Sequence, residues 1–93
     1  MDIGAFQSLM EQTYGARDAD RGTAVAVCWL VEEVGELAQA IRKGTATEQL
    51  AELGDVLAWL ASLAGLLGLS LDDATARYAA GCPRCAAIPC ACP

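Results

Sequence analysis

Residues Trp29 to Gly44 read WLVEEVGELAQAIRKG, and Thr45 to Leu57 read TATEQLAELGDVL. Apolar residues recur there every three or four positions. Val27, Val31, Val34, Ala38 and Ile41 make one stripe, and Leu53, Leu57, Leu60, Ala64 and Leu67 make the other. That is helical spacing, not the alternation of a strand. Gly44 ends the first of these helices, with Arg42 and Lys43 in its last turn, where cations complement the helix dipole. Thr45 and Glu48 then form a Thr-x-x-Glu capping box that opens the next helix at once. So short a connection predicts an antiparallel helical hairpin.

Reading outward, Asp2 to Tyr14 carries Ile3, Phe6, Leu9, Met10 and Thr13 on one side and predicts a first helix. Gly15 to Gly22, with Arg17, Asp18, Asp20 and Arg21, reads as a polar connection into a second helix that starts at Gly22 or Thr23 and runs to Lys43. The third helix reaches Leu67 and stops at Gly68. Ser70-x-x-Asp73 caps a short fourth helix ending near Ala80, with Gly81 as a left-handed residue. Residues 82–93 hold all three prolines and four of the five cysteines, and read as a separate tail. No segment alternates with period two. The expectation is an all-α fold, a helical bundle of three to four helices over residues 1–81 with a Cys-rich tail at 82–93. Beyond Asp55 the third helix is apolar all round, and such a helix is buried on every face. That requires other subunits, so the bundle is expected to be completed by oligomerisation, as a dimer or tetramer.

Bulk properties narrow the partners. Ninety-three residues make one small domain, and a chain that is 55% hydrophobic has more apolar surface than a monomer of this size hides. The longest uncharged run, Val56 to Leu71, is shorter than the ~20 residues of a spanning helix and is broken by Gly65, Gly68 and Ser70. The chain opens Met-Asp-Ile-Gly with no basic leader, so no secretory signal is expected. A cytoplasmic homo-oligomer without a membrane partner follows. The net charge of −6 argues against a nucleic-acid polymer as partner. The absence of histidine excludes Ser-His-Asp and Cys-His nucleophilic machinery, His-Glu-x-x-His zinc sites and the Glu-x-x-His pairs of di-iron bundles. Any chemistry must run on carboxylates, cysteines and bound metal.

Acids crowd one quarter of the chain: Glu32, Glu33, Glu36, Glu48, Glu52 and Asp55. Glu33 with Glu36 and Glu52 with Asp55 are both i,i+3 pairs, so each pair projects from one helical face and repels itself. Counted from the turn, Glu36 and Asp55 fall at about the same height on the two helices. Acids of an amphipathic hairpin can simply solvate its outer face. Two like-charged pairs in register on a hairpin otherwise poor in charge instead suggest a cation between them. With no histidine or thiol at hand, Mg²⁺ or Mn²⁺ suits this oxygen-rich set better than zinc or iron. Gly35 and Gly54, each beside one of these acids and costly in a helix interior, would let a helix or ligand come close.

Glu-Glu-x-x-Glu, about fifteen residues, then Glu-x-x-Asp, with the flanks quoted above, is similar to the metal signature of the all-α MazG-type nucleoside triphosphate pyrophosphohydrolases. The likeness covers roughly residues 17 to 85 and extends to a compact branch with a Cys-Pro-x-Cys tail. The resemblance implies metal-dependent conversion of an NTP or dNTP to the monophosphate and pyrophosphate, with Mg²⁺ or Mn²⁺ held by Glu33, Glu36, Glu52 and Asp55. Glu32, one residue off that face, would orient a water or support the ligands. Members of the family often carry a Lys and an Asn after the third helix for phosphate contact. Here that stretch reads Thr75-Ala-Arg-Tyr-Ala-Ala80, which leaves Arg77, with Tyr78, in their place. Lys43 and Arg42 at the hairpin tip are the other cationic candidates, and also serve as ordinary helix-end charges.

Trp29 and Trp59 lie four residues outside Glu33 and Asp55 on the carboxylate face, where an indole can stack on a nucleobase or simply pack in the core. Cys82-Pro-Arg-Cys85 and Cys90-Ala-Cys92 can wrap one tetrahedral structural Zn²⁺, or remain free or redox-active thiols. A disulfide is disfavoured in a reducing compartment. Cys28, among valines, reads as an ordinary buried residue. Two non-enzymatic readings remain: a zinc-binding helical dimerisation module, and a bundle that stores or senses metal. Neither needs carboxylate pairs in register.

Overall fold

The computed structural model describes residues 1–93. Four helices follow in order, α1 (Ile3–Arg21), α2 (Thr23–Lys43), α3 (Ala46–Leu66) and α4 (Leu71–Thr75), with a 3₁₀ turn at Ala76–Tyr78 and no strand. The chain is all-α, with a Cys-rich C-terminal segment. The expected caps at Thr45 and Ser70 are made, and Asp2 adds an unexpected one. Asp2 accepts from the N–H of Ala5, Thr45 from that of Glu48 and Ser70 from that of Asp73, each satisfying a donor the helix leaves free. At the end of α3 the N–H of Leu69 donates to the carbonyl of Ala64 at 2.9 Å, and Gly68 takes φ 69°, a Schellman-type stop.

Two expected helix boundaries need correction. The stretch from Gly15 to Arg21 is helix, not a connection, so α1 is nineteen residues long. Ala16, Arg17, Ala19 and Arg21 are good helix formers and offset the ~1 kcal/mol that Gly15 costs. Tertiary packing reinforces them, because Asp18 is only 4% exposed. The chain breaks one residue later, at Gly22, whose φ of 91° favours glycine. The fourth helix is the opposite case. It ends at Thr75, tightens into the 3₁₀ turn and does not reach Ala80 as α-helix. One turn makes few bonds to offset nucleation, and the Thr75 hydroxyl donates to the carbonyl of Asp72 at 2.6 Å. Gly81 has the expected positive φ, 101°.

α2 and α3 form the hairpin. The connection is tight: a Cβ on Gly44 would sit 2.8 Å from the carbonyl oxygen of Ala40. The Gln49 side chain donates to that same carbonyl at 3.2 Å, which locks the register near the tip. α1 packs chiefly against α3. Gln7 pins its start by donating to the carbonyl of Leu69 at 2.9 Å and accepting from the N–H of Leu71 at 2.7 Å.

The core of the single chain is thin. Only six residues are buried, the small Ala26, Ala40, Ala61, Ala64 and Ser62 together with Asp18, and no large side chain is among them. The stripes read from the sequence point largely outward: Val31 is 65% exposed and Leu53 52%, and Val27, Val34, Ile41, Leu57, Leu60 and Leu67 are exposed too. Cys28 is likewise exposed and not buried, because it shares α2 with these outward residues. The radius of gyration is 15.3 Å, against about 12 Å for a compact chain of this length. No single helix is long and apolar enough to cross a membrane.

Candidate metal and nucleotide site

The hairpin register decides which acids meet. Ala40 faces Gln49 near the tip, and at the far end Trp29 packs edge to face on Trp59, ring centroids 4.9 Å apart. Between those points Glu36 and Glu52 border one concavity, and Glu33 and Asp55 another. The sequence count sets Glu36 level with Asp55; the trio within ligand distance gathers Glu36 with Glu33 and Glu52. One carboxylate oxygen from each of Glu33, Glu36 and Glu52 comes within 4.8 Å of the others. Asp55 stands outside that trio, close enough to repel Glu33, and shares a cleft with it. Glu32 is exposed and outside the trio.

Oε2 of Glu33 and Oε2 of Glu52 are both buried without a hydrogen-bond partner. An unpartnered buried carboxylate oxygen is costly. The strain registers on Glu33, whose pKa is pushed from 4.5 up to about 7, first by burial and then by the charges of Glu36 and Asp55. These are hard oxygen donors with free lone pairs, which suits Mg²⁺ or Mn²⁺ and offers nothing to a soft metal. A Cβ on Gly35 or Gly54 would meet nothing within 4 Å. The chain's own helices thus make no close approach there, and the space beside the acids is open.

Two concavities flank the acids. One, of about 240 Å³, is lined by Glu33 and Asp55 from the hairpin, by Trp59, and by Tyr14, Arg17, Asp18 and Arg21 from α1. The other, of about 490 Å³ and nearer the tip, brings Lys43 beside Glu36 and Glu52. Lys43 thus shares a concavity with two of the acids, whereas Arg77 sits on the 3₁₀ turn and lines neither. Trp59 borders the smaller cleft. Trp29 is held by Trp59 and by the Arg21 guanidinium, 4.5 Å from its ring centroid, so packing accounts for its position.

The contribution of α1 is what sequence reasoning missed. Tyr14, Arg17, Asp18 and Arg21 follow the 3–4 spacing of one helical face, and that periodicity was the available signal. Gly15 interrupts it and makes the stretch resemble a loop.

A second group of metal-binding type lies in the C-terminal segment, where Sγ atoms of Cys82, Cys85, Cys90 and Cys92 lie within 4.8 Å of one another. The Cys82 thiol is drawn down to about 6, chiefly by the backbone N–H of Cys85 and then by that of Arg84.

Residues 22–82 match the MazG nucleotide pyrophosphohydrolase domain family. That match takes in α2, α3, α4 and all six hairpin acids. No curated protein matches the chain.

Proposed function

From the chain's membership of the MazG nucleotide pyrophosphohydrolase family, we propose that it hydrolyses a nucleoside triphosphate between the α- and β-phosphates, releasing the monophosphate and pyrophosphate. The observation that carries this reading is the trio of Glu33, Glu36 and Glu52, whose carboxylate oxygens lie within 4.8 Å of one another while Glu33 and Glu52 each keep a buried oxygen without a hydrogen-bond partner. Glu33, Glu36 and Glu52 would hold Mg²⁺, with Asp55 completing the set from the adjoining cleft. Bound there, Mg²⁺ supplies charge neutralisation for the triphosphate and acidifies the attacking water. Glu32, exposed beside the trio, is the residue left to orient water.

The chain's other residues bind and orient the substrate. Arg17 and Arg21 line the smaller cleft together with Glu33 and Asp55, and guanidinium groups pair well with phosphate oxygens. Lys43 offers a second cation on the tip side. Trp59 supplies an aromatic wall for a base, backed by Trp29. In this reading the α1 arginines join Arg77 as cationic candidates for the phosphates.

A screen of all common NTPs and dNTPs with Mg²⁺, scored by product, tests the proposal. Metal-dependent pyrophosphate and monophosphate are expected from at least one substrate. Orthophosphate as the product, or no turnover with any nucleotide, overturns it. Arg17→Gln is expected to raise KM about tenfold, as loss of one charge-assisted hydrogen bond does, with a smaller change in kcat. An unaltered KM removes Arg17 from the phosphate site. Arg21→Gln should act similarly, with some added loss of stability as the contact on Trp29 goes.

The same proposal includes a homo-oligomer. A chain with six buried residues and two outward apolar stripes has not buried enough surface to stand alone. Seven-residue spacing along both stripes fits helices of a second copy, the partner available wherever the chain is made.

A further inference from the structure

The segment from Cys82 to Pro93 has no apolar core to hold its shape. Ile88, its one large aliphatic residue, is 81% exposed. Four sulfurs converge in place of a core. The Sγ atoms of Cys82, Cys85, Cys90 and Cys92 all lie within 4.8 Å of one another, and those of Cys82 and Cys92 are 3.7 Å apart. All four are free thiols. Four thiolates about 2.3 Å from a central Zn²⁺ define a tetrahedron with edges of about 3.8 Å. The 3.7 Å between Cys82 and Cys92 matches such an edge, the remaining sulfurs lie within 4.8 Å, and no two of them are covalently bonded.

The backbone serves the sulfurs as well. The N–H of Ala91 donates to Cys85 Sγ and that of Cys92 to Cys90 Sγ, both at 3.4 Å. Amide donors of this kind take up part of the charge that four thiolates concentrate at one point. The first cysteine pair sits in a closed loop, where Ala86 N–H donates to the Cys82 carbonyl at 2.7 Å and Cys82 N–H to the Ala87 carbonyl at 3.2 Å. Closing it puts Ala86 at φ 57°, which a residue with a Cβ seldom adopts. A loop keeps such a conformation when its surroundings over-determine it.

We propose that Cys82, Cys85, Cys90 and Cys92 hold one Zn²⁺ in a closed four-sulfur site that clips the C-terminal segment together, separate from the carboxylate site. The ligand chemistry selects the ion. Thiolate is soft and favours zinc over Mg²⁺, while the glutamate trio is hard and does the reverse. Four protein ligands leave no open position, so this is a structural site, not a catalytic one. The thiols lose their protons to solvent as zinc binds.

The full-length protein, purified with reductant and without added metal, tests this. Elemental analysis should find about one zinc per chain, and at most one thiol, Cys28, should react rapidly with a thiol reagent. All five should react after strong chelation. Cobalt(II) exchanged into the wild type should give the visible spectrum of a tetrahedral tetrathiolate complex, a readout independent of any variant. Cys82→Ser with Cys85→Ser should abolish both the zinc and the cobalt spectrum, with helical circular dichroism as the check on folding. Absence of zinc with four freely reacting tail thiols overturns the proposal. So does an intact mass showing tail disulfides, or zinc retained by the double variant.

Discussion

Glu33→Gln is expected to eliminate magnesium-dependent pyrophosphate release and at the same time to stabilise the metal-free protein at neutral to alkaline pH. The loss should be about three orders of magnitude, matching the several kcal/mol of transition-state stabilisation that a metal clamp supplies. The stability change has its own sign. The pKa of Glu33 is about 7 in the folded chain and 4.5 without the fold, so the folded state holds the proton more tightly. Its contribution to stability is fully present below pH 4.5 and is lost as pH rises through 7. Above pH 7 the folded chain carries a charge that its surroundings oppose, at a cost of about 1 kcal/mol once solvent screening is allowed for. Gln removes that charge. Metal-free melting curves of parent and variant should therefore converge near pH 4.5 and separate by pH 8, the variant higher. Saturating Mg²⁺ should raise the melting temperature of the parent alone. Glu36→Gln and Asp55→Asn should likewise abolish turnover and leave the fold intact. A Glu33→Gln variant melting well below the parent at pH 8 without metal would show that these acids hold the fold.

The second large effect concerns assembly. Val31 and Leu53 are 65% and 52% exposed in the single chain. If the chain acts alone, a charged residue at either position changes stability by less than about 0.5 kcal/mol. If a second copy covers the stripes, the same change buries an unpaired charge and costs several kcal/mol. Val31→Glu and Leu53→Glu are expected to behave in the second way, with a steep fall in melting temperature and dissociation into poorly folded chains. The parent should scatter light with at least twice its 9.6 kDa mass, and its melting temperature should rise with protein concentration. A monodisperse parent monomer at micromolar concentration, with variants as stable as the parent, would refute the assembly.

The helical hairpin, its boundaries and its caps were legible because they depend on short-range features. Gly44, Thr45 and Glu48 act within one turn of each other, and the 3–4 spacing of Val27 to Ile41 admits no other local structure. The acids were legible as a group for the same reason, since the i,i+3 spacing of Glu33 with Glu36 and of Glu52 with Asp55 fixes a shared face. Their pairing across the hairpin was not. Whether Glu36 meets Glu52 or Asp55 depends on where the turn is centred to within about one residue, and that is decided by the contact of Gln49 with Ala40 and the packing of Trp29 on Trp59.

Amphipathic spacing likewise says that a stripe will be buried, but not against what. The single chain leaves Val31 and Leu53 outside and builds its small core from alanines. The sequence by itself determined an all-α hairpin protein with acids gathered on one face and thiols gathered at one end. Only the tertiary structure decided that α1 runs on through Gly15 and carries Arg17, Asp18 and Arg21 to the cleft beside Glu33. A glycine's local cost of about 1 kcal/mol is outweighed there by contacts with residues far away in the chain, and no local pattern records those contacts.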